Sequence, residues 1–159
     1  MKFIISSLIA VTITTLSSLA LSNTLSTDPG DVSDVLAVIQ KWAELEDDLE
    51  AQAELIRDDR VQVGGGIRQS NQAENLAVQL LRYNALVDLW GGEPDLMVRI
   101  EDPLVQIYGN VAVASFVRLF DVAPPGRQPN ETGTAWFSMV LVKENGEWKI
   151  AHHHVSPAS

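Results

Sequence analysis

The chain has 159 residues, no cysteine and a formal net charge of −10 at pH 7. This length suits one globular domain with its own core, and the lack of cysteine excludes both disulfides and a lipid-anchored cysteine. The negative charge makes nucleic acids and anionic membrane surfaces poor partners, so we expect the protein to bind neither.

Residues 1–22 have the pattern of a secretory signal peptide. One basic residue precedes a long apolar run, and Ala20 and Ser22 are small residues that fit cleavage after position 22. The polar segment that follows lacks the flank that a membrane helix would need. We therefore expect a secreted or periplasmic protein, with no membrane segment after cleavage. The predicted parts are a signal peptide over 1–22, a short linker over 23–30 and one domain over 31–159.

The first half of the domain carries two helical patterns. From Pro29 onward, apolar residues recur at three- and four-residue steps, which predicts an amphipathic helix followed by a second short helix or a bend near residues 47–50. A second apolar stripe predicts another helix between a cap at Ser70 and a stop at Gly91. Both helices precede the β-rich half of the chain.

The second half of the domain is rich in strand patterns separated by turn residues. Asn145 and Gly146 are a strong hairpin signal, because both tolerate the positive φ that a type I′ turn requires. Helices followed by a run of antiparallel strands indicate the α+β class, with the helices packed on one face of the sheet. The predicted strands, including a short one before the second helix, cover residues 61–63, 96–100, 104–108, 111–122, 134–143 and 147–155.

The last predicted strand alternates apolar and imidazole side chains. Regular alternation puts His153 on one face and His152 and His154 on the other, together with Trp148 and Ile150. Because the tryptophan and the isoleucine are core candidates, the alternation predicts that His152 and His154 face the helices or a cavity.

An Asn-Gly hairpin that ends in Trp-x-Ile-x-His-x-His-x-Ser, as in residues 145–156, resembles the last two strands of SnoaL-like domains in the nuclear transport factor 2-like superfamily. It is also similar to ketosteroid isomerase-like proteins and to the calcium/calmodulin-dependent kinase II association domain. The resemblance implies N-terminal helices packed in the concave face of a strongly curved antiparallel sheet, a cone-shaped, cystatin-like roll. It also implies a pocket at the open end of the cone and a homodimer formed across the sheet.

Two histidines and two aspartates are the catalytic candidates. His152 and His154 titrate near neutral pH and can donate or accept a proton, while Asp58 and Asp59 stand where the resemblance implies a pocket base. The alternative interpretation is that the histidines are structural and the aspartates are exposed turn carboxylates. The histidine pair could also chelate a metal with a carboxylate such as Asp121, but a third inward histidine is missing from the pattern. We predict no metal and no cofactor.

A larger set of residues could line the pocket, which is typically apolar with a few polar groups. Arg118 lies within an apolar run and could bind a ligand carboxylate if it points inward, or lie in solvent or a dimer interface if it points outward. The predicted lining residues are Trp42, Tyr83, Trp90, Phe116, Arg118, Trp136, His152 and His154.

Three functions fit these patterns. The favoured one is a domain that binds a small apolar or carboxylate-bearing molecule in its cone pocket. An alternative is a cofactor-independent isomerase or cyclase-type enzyme with a histidine and an aspartate as its acid-base pair. A further alternative is a dimerisation module without a ligand.

Overall fold

The computed structural model describes residues 29–129 and 131–158. The predicted signal peptide over 1–22, and the linker as far as residue 28, lie outside these ranges. None of the helices within the ranges is long and apolar enough to cross a bilayer. The elements in chain order are α1 (Pro29–Glu44), α2 (Leu49–Ala53), β1 (Ile56–Gly64), β2 (Ile67–Gln69), α3 (Gln72–Trp90), β3 (Asp95–Tyr108), β4 (Val111–Ala123), β5 (Gly133–Glu144) and β6 (Glu147–Pro157).

The helix ends follow local capping chemistry. Of the two predicted alternatives the structure shows the second short helix, α2, whose N-cap Asp48 accepts a hydrogen bond from the Ala51 N–H at 3.0 Å. The N-cap of α3 is Asn71 and not Ser70, because the Asn71 side chain accepts from the Glu74 N–H at 3.1 Å. Gly91 ends α3 with φ of 70°, a left-handed conformation that glycine adopts without steric cost.

The six strands form one open sheet in the order β2-β1-β6-β5-β4-β3. Neighbouring strands are antiparallel, except that β1 runs parallel to β6. Asn145 and Gly146 have φ of 52° and 89°, which confirms the predicted hairpin between β5 and β6. The break predicted near Asp102 is a register shift within one long strand, β3.

The core lies between α1 and one face of the sheet, which we call the inner face. Val35, Ile39 and Trp42 of α1 pack there, and Phe116 stacks on Phe137 with ring centroids 5.5 Å apart. These side chains are at least 95% buried, so most of the hydrophobic stabilisation comes from this layer. The predicted α+β architecture is therefore confirmed. The opposite side of the sheet is called the outer face below.

A β-bulge interrupts the alternation of β6. Ile150 pairs with Leu141 of β5 and His152 pairs with Val140, so a step of two residues along β6 matches a step of one residue along β5. Ala151 is the extra residue. Beyond a bulge of this kind, side chains point to the face opposite to the one that simple alternation predicts.

The bulge overturns the predicted orientation of the histidines. His153 is 4% exposed and lies on the inner face, together with Ile150. His154 is exposed and His152 is only partly buried. The prediction that His152 and His154 point inward was therefore wrong, because Ala151 shifts the alternation by one residue.

Candidate functional site

The guanidinium of Arg60 is buried at the middle of β1. It lies where the register between β1 and β6 shifts, and Arg60 as a whole is 1% exposed. Its Nη1 donates to Gln62 Oε1 at 2.7 Å and lies 3.1 Å from His153 Nε2. Because arginine has only donors, the ring nitrogen of His153 must accept in this contact. Arg60 Nε and Nη2 have no hydrogen-bond partner within residues 29–129 and 131–158.

Burial perturbs both members of this pair. Desolvation lowers the pKa of Arg60 to about 10, so its guanidinium remains charged at neutral pH. Burial, followed by the charge of Arg60, lowers the pKa of His153 to about 3, so its imidazole is neutral. A buried cation with unused donors is costly unless something satisfies them.

Arg60 and His153 border a cavity of about 140 Å³, which we call the inner cavity. Trp42 and Phe137 form its apolar wall, and their rings lie 5.6 Å apart between centroids. Arg118 points into the same cavity. The site therefore combines a small apolar wall with two guanidinium groups.

Arg118 is held by a carboxylate and by aromatic rings. Its Nη2 donates to Glu46 Oε1 at 2.6 Å, and both side chains are 16% exposed. Its guanidinium lies 4.5 Å from the ring centroid of Phe120 and 5.4 Å from that of Trp42. Of the two orientations left open for Arg118, the structure shows the inward one.

A second cavity of about 330 Å³, which we call the outer cavity, adjoins the first. Its wall is mainly apolar and includes Leu86, Leu96 and Phe120, together with Tyr83. The inner and outer cavities share three lining residues, and these are Glu46, Gln79 and Arg118.

The structure sorts the predicted pocket residues into three groups. Trp42 and Arg118 line the inner cavity, and Tyr83 lines the outer one. Phe116 is fully buried in the core, and Trp90 is half-buried at the end of α3 and lines neither cavity.

The remaining three predicted residues lie away from both cavities. Trp136 is 49% exposed on the outer face, because its neighbour Phe137 occupies the inner face. His152 and His154 line neither cavity either. Among the described residues, no group of three or more histidine and acidic side chains is placed to hold a metal ion.

The two candidate aspartates are exposed and do not line the inner cavity. Asp59 accepts from Arg57 Nε at 2.7 Å and from Arg57 Nη2 at 2.9 Å. The hydrogen bonds from Arg57 lower the pKa of Asp59, so this carboxyl is ionised and already paired. The structure does not bring Asp58 or Asp59 together with a buried histidine. It places Arg60 and His153 together instead, and the sequence patterns had singled out neither as a pocket residue.

Comparisons with known proteins agree with this architecture. Residues 35–159 match the sequence profile of the SnoaL-like domain. No curated protein matches the chain in sequence. An NTF2-like protein with a cystatin-like fold from Novosphingobium aromaticivorans superposes with a TM-score of 0.69 at 15% identity, over 82% of this chain and 84% of that one.

Two further solved structures show the same fold. A candidate dehydratase of the NTF2-like family from Streptomyces avermitilis has a TM-score of 0.69 at 18% identity, over 84% of this chain and 99% of that one. The association domain of Caenorhabditis elegans CaMKII has a TM-score of 0.65 at 18% identity, over 80% and 97% of the two chains. At such low identity these likenesses establish the fold, which alone does not define a function.

Proposed function

Because this chain belongs to the SnoaL-like domain family, we propose that its inner cavity binds a small molecule through a carboxylate group. The observation that carries the proposal is the free edge of Arg60. Nε and Nη2 of this side chain are buried and have no partner among the described residues. These two nitrogens lie on the same edge of the guanidinium, where they can donate in parallel to both oxygens of one carboxylate.

The same strand contains an example of this geometry. Arg57 uses Nε and Nη2 to bind both oxygens of Asp59, at 2.7 and 2.9 Å. Arg57 is therefore satisfied within the protein, whereas the equivalent edge of Arg60 is left for a ligand. This contrast supports a carboxylate as the group that Arg60 recognises.

The charges around the inner cavity favour a monoanion. Arg60 and Arg118 are positive, Glu46 is negative, and the lowered pKa of His153 leaves its ring neutral. The net charge of the lining is thus a single positive one, which a carboxylate balances and a dianionic phosphate exceeds. Trp42 supplies apolar surface next to these charges.

The lining favours binding over acid-base catalysis by a histidine and an aspartate. A base works best when its pKa is near the operating pH, and a His153 with pKa of about 3 accepts a proton poorly at neutral pH. Asp58, Asp59 and His154 are exposed outside the cavity. This arrangement supports the ligand-binding function above the isomerase or cyclase alternative.

Calorimetric titration with butyrate and with neutral butyramide tests the proposal. We expect butyrate to bind and butyramide not to bind. Arg60→Gln should weaken butyrate at least about tenfold, because hydrogen bonds to charged groups contribute about 1.5–3 kcal/mol each. Arg57→Gln is the matched control, from the same strand and outside the inner cavity, and should bind as the wild type does. Equal binding of both probes, or unchanged butyrate affinity in Arg60→Gln, would overturn the proposal.

We also propose that two copies pair through the outer face of the sheet. Leu104, Trp136 and Val113 are 61%, 49% and 39% exposed on adjacent strands. Exposed apolar clusters of this kind are typical of interaction surfaces. The homodimer implied by the sequence resemblance would cover these side chains while leaving the inner cavity open.

We also propose that the protein is exported from the cytoplasm. The signal-peptide pattern of residues 1–22 supports a secreted or periplasmic protein, which would meet its ligand outside the cytoplasm. Expression of the full chain followed by mass measurement of the secreted product tests this. A mature chain that starts near residue 23 is expected, and retention of the full-length chain inside the cell would contradict it.

A further inference from the structure

The boundary between the two cavities is formed by an ion pair. Glu46 and Arg118 line both the inner and the outer cavity, and their side chains meet at 2.6 Å. Gln79 of α3 also borders both. A molecule that reaches from Arg60 into the outer cavity would therefore pass between this pair and Gln79.

We propose that the ligand is an amphipathic monocarboxylic acid, with its carboxylate on Arg60 and its apolar body extending past the Glu46–Arg118 pair into the outer cavity. This inference rests on the proposed function, since it assumes a carboxylate at Arg60. It adds the size and polarity of the rest of the ligand. It also assigns the ion pair a role in selecting that ligand.

The volumes of the two cavities leave room for a ligand of some length. One water molecule takes up roughly 30 Å³ in the liquid, so the inner cavity of about 140 Å³ holds roughly five groups of that size. A carboxylate and about three carbons, as in butyrate, nearly fill it. The outer cavity of about 330 Å³ is the adjoining space into which a longer chain extends.

The outer cavity has the chemistry of an apolar binding site. Its wall is built by Leu86 of α3, Leu96 of β3 and Phe120 of β4. The charged groups around it are Glu46 and Arg118, which are paired with each other, and Arg82, which is exposed to solvent and not part of the apolar wall. Water at such a wall is displaced favourably by hydrocarbon, at about 0.8 kcal/mol for each buried methylene.

The ion pair at the boundary selects against a second carboxylate. Glu46 already occupies Arg118 Nη2, and its negative charge lies between the two cavities. A dicarboxylate would have to carry its second charge past Glu46 into an apolar wall, which is unfavourable. A monocarboxylate with an uncharged body meets no such cost.

A chain-length series tests this inference without any substitution. Straight-chain acids from acetate through decanoate, and the dicarboxylate of the same length as decanoate, are titrated into the wild-type protein by calorimetry. Beyond butyrate we expect about a fourfold gain in affinity for each added methylene, equivalent to about 0.8 kcal/mol. The dicarboxylate should bind at least about tenfold more weakly than decanoate.

A pair of variants then locates the apolar body. Leu86→Asp places a charge in the outer cavity and should weaken decanoate at least about tenfold while leaving butyrate unchanged. Leu89→Asp is the matched control on the same helix, because Leu89 is 73% exposed and lines neither cavity. It should bind both acids as the wild type does.

The outcomes separate this inference from the proposed function. If short acids bind in an Arg60-dependent way but affinity does not rise with chain length, the outer-cavity inference is overturned and the carboxylate site stands. If decanoate and its dicarboxylate bind equally well, the selective role of Glu46 is overturned. If no acid binds in an Arg60-dependent way, both proposals fall together.

Discussion

Arg60 and His153 are in contact on the inner face although 93 residues separate them in the chain, with Arg60 Nη1 3.1 Å from His153 Nε2. Two irregularities of the sheet create this contact: the register shift between β1 and β6, and the bulge at Ala151. Bulges commonly redirect side chains beside binding sites.

Replacing the buried arginine should stabilise the ligand-free protein. Arg60→Met removes a buried charge with two unpartnered nitrogens, so we expect the free energy of unfolding to rise by about 1 kcal/mol. Urea unfolding followed by circular dichroism measures it. Arg57→Met is the control and should leave the midpoint nearly unchanged. A clear loss of stability in Arg60→Met would mean that the contacts with Gln62 and His153 outweigh the cost of burial.

His153 should make stability depend on pH below neutrality. Burial and the nearby charge of Arg60 lower its pKa from 6.5 in the reference state to about 3 in the fold. Between those values the unfolded chain binds a proton that the folded protein does not, so stability falls as pH falls. From pH 7 to about pH 5 the wild type should lose about 2 kcal/mol more than His153→Gln. Parallel losses in the two proteins would show that His153 is not buried as a neutral ring.

Alanine substitutions in the histidine run should show which face of β6 borders the inner cavity. His153→Ala should weaken butyrate several-fold, because it removes the acceptor that holds Arg60 Nη1 in place. His154→Ala should leave the affinity unchanged, because His154 is exposed and lines neither cavity. Titration calorimetry compares them. If His154→Ala weakened butyrate and His153→Ala did not, β6 would follow simple alternation and the bulge at Ala151 would be contradicted.

The outer face should control the oligomeric state. Trp136→Glu places a charge among exposed apolar side chains and should convert a dimer to a monomer. Leu81→Glu, at a position of α3 that is 71% exposed, is the control and should leave the dimer intact. Light scattering coupled to gel filtration gives the masses. A wild-type monomer would contradict the dimer. Disruption of the dimer by Leu81→Glu alone would show that the interface is not on the outer face.

Most of the fold was predictable from local patterns. Alternation and turn residues located the long strands, because their hydrophobic period and the Asn145 and Gly146 turn are local properties. The start of β1 was missed, since residues 57–60 are all charged and carry no apolar alternation. Pairing with β6 decides that they form a strand, and that pairing is not visible in the sequence.

The candidate site was less predictable, for a physical reason. Arg118 could be named as a pocket candidate because it is a single cation within an apolar strand, although the sequence left its orientation open. Arg60 and His153 could not, because each lies at a register shift. Where one strand carries an extra residue, the direction of a side chain depends on the partner strand as well as on its own neighbours.

The run of three histidines gives this site an unusual tolerance to a one-residue shift in the alternation of β6. If β6 kept Ala151 but lost the bulge and became regular, every side chain beyond Ala151 would exchange faces, which in most strands replaces the group that lines a cavity with one of different chemistry. Here the exchange would withdraw His153 and present the flanking histidines in its place. An imidazole would therefore still face Arg60 after a shift of one position, so gain or loss of the bulge need not remove the acceptor on which that guanidinium depends.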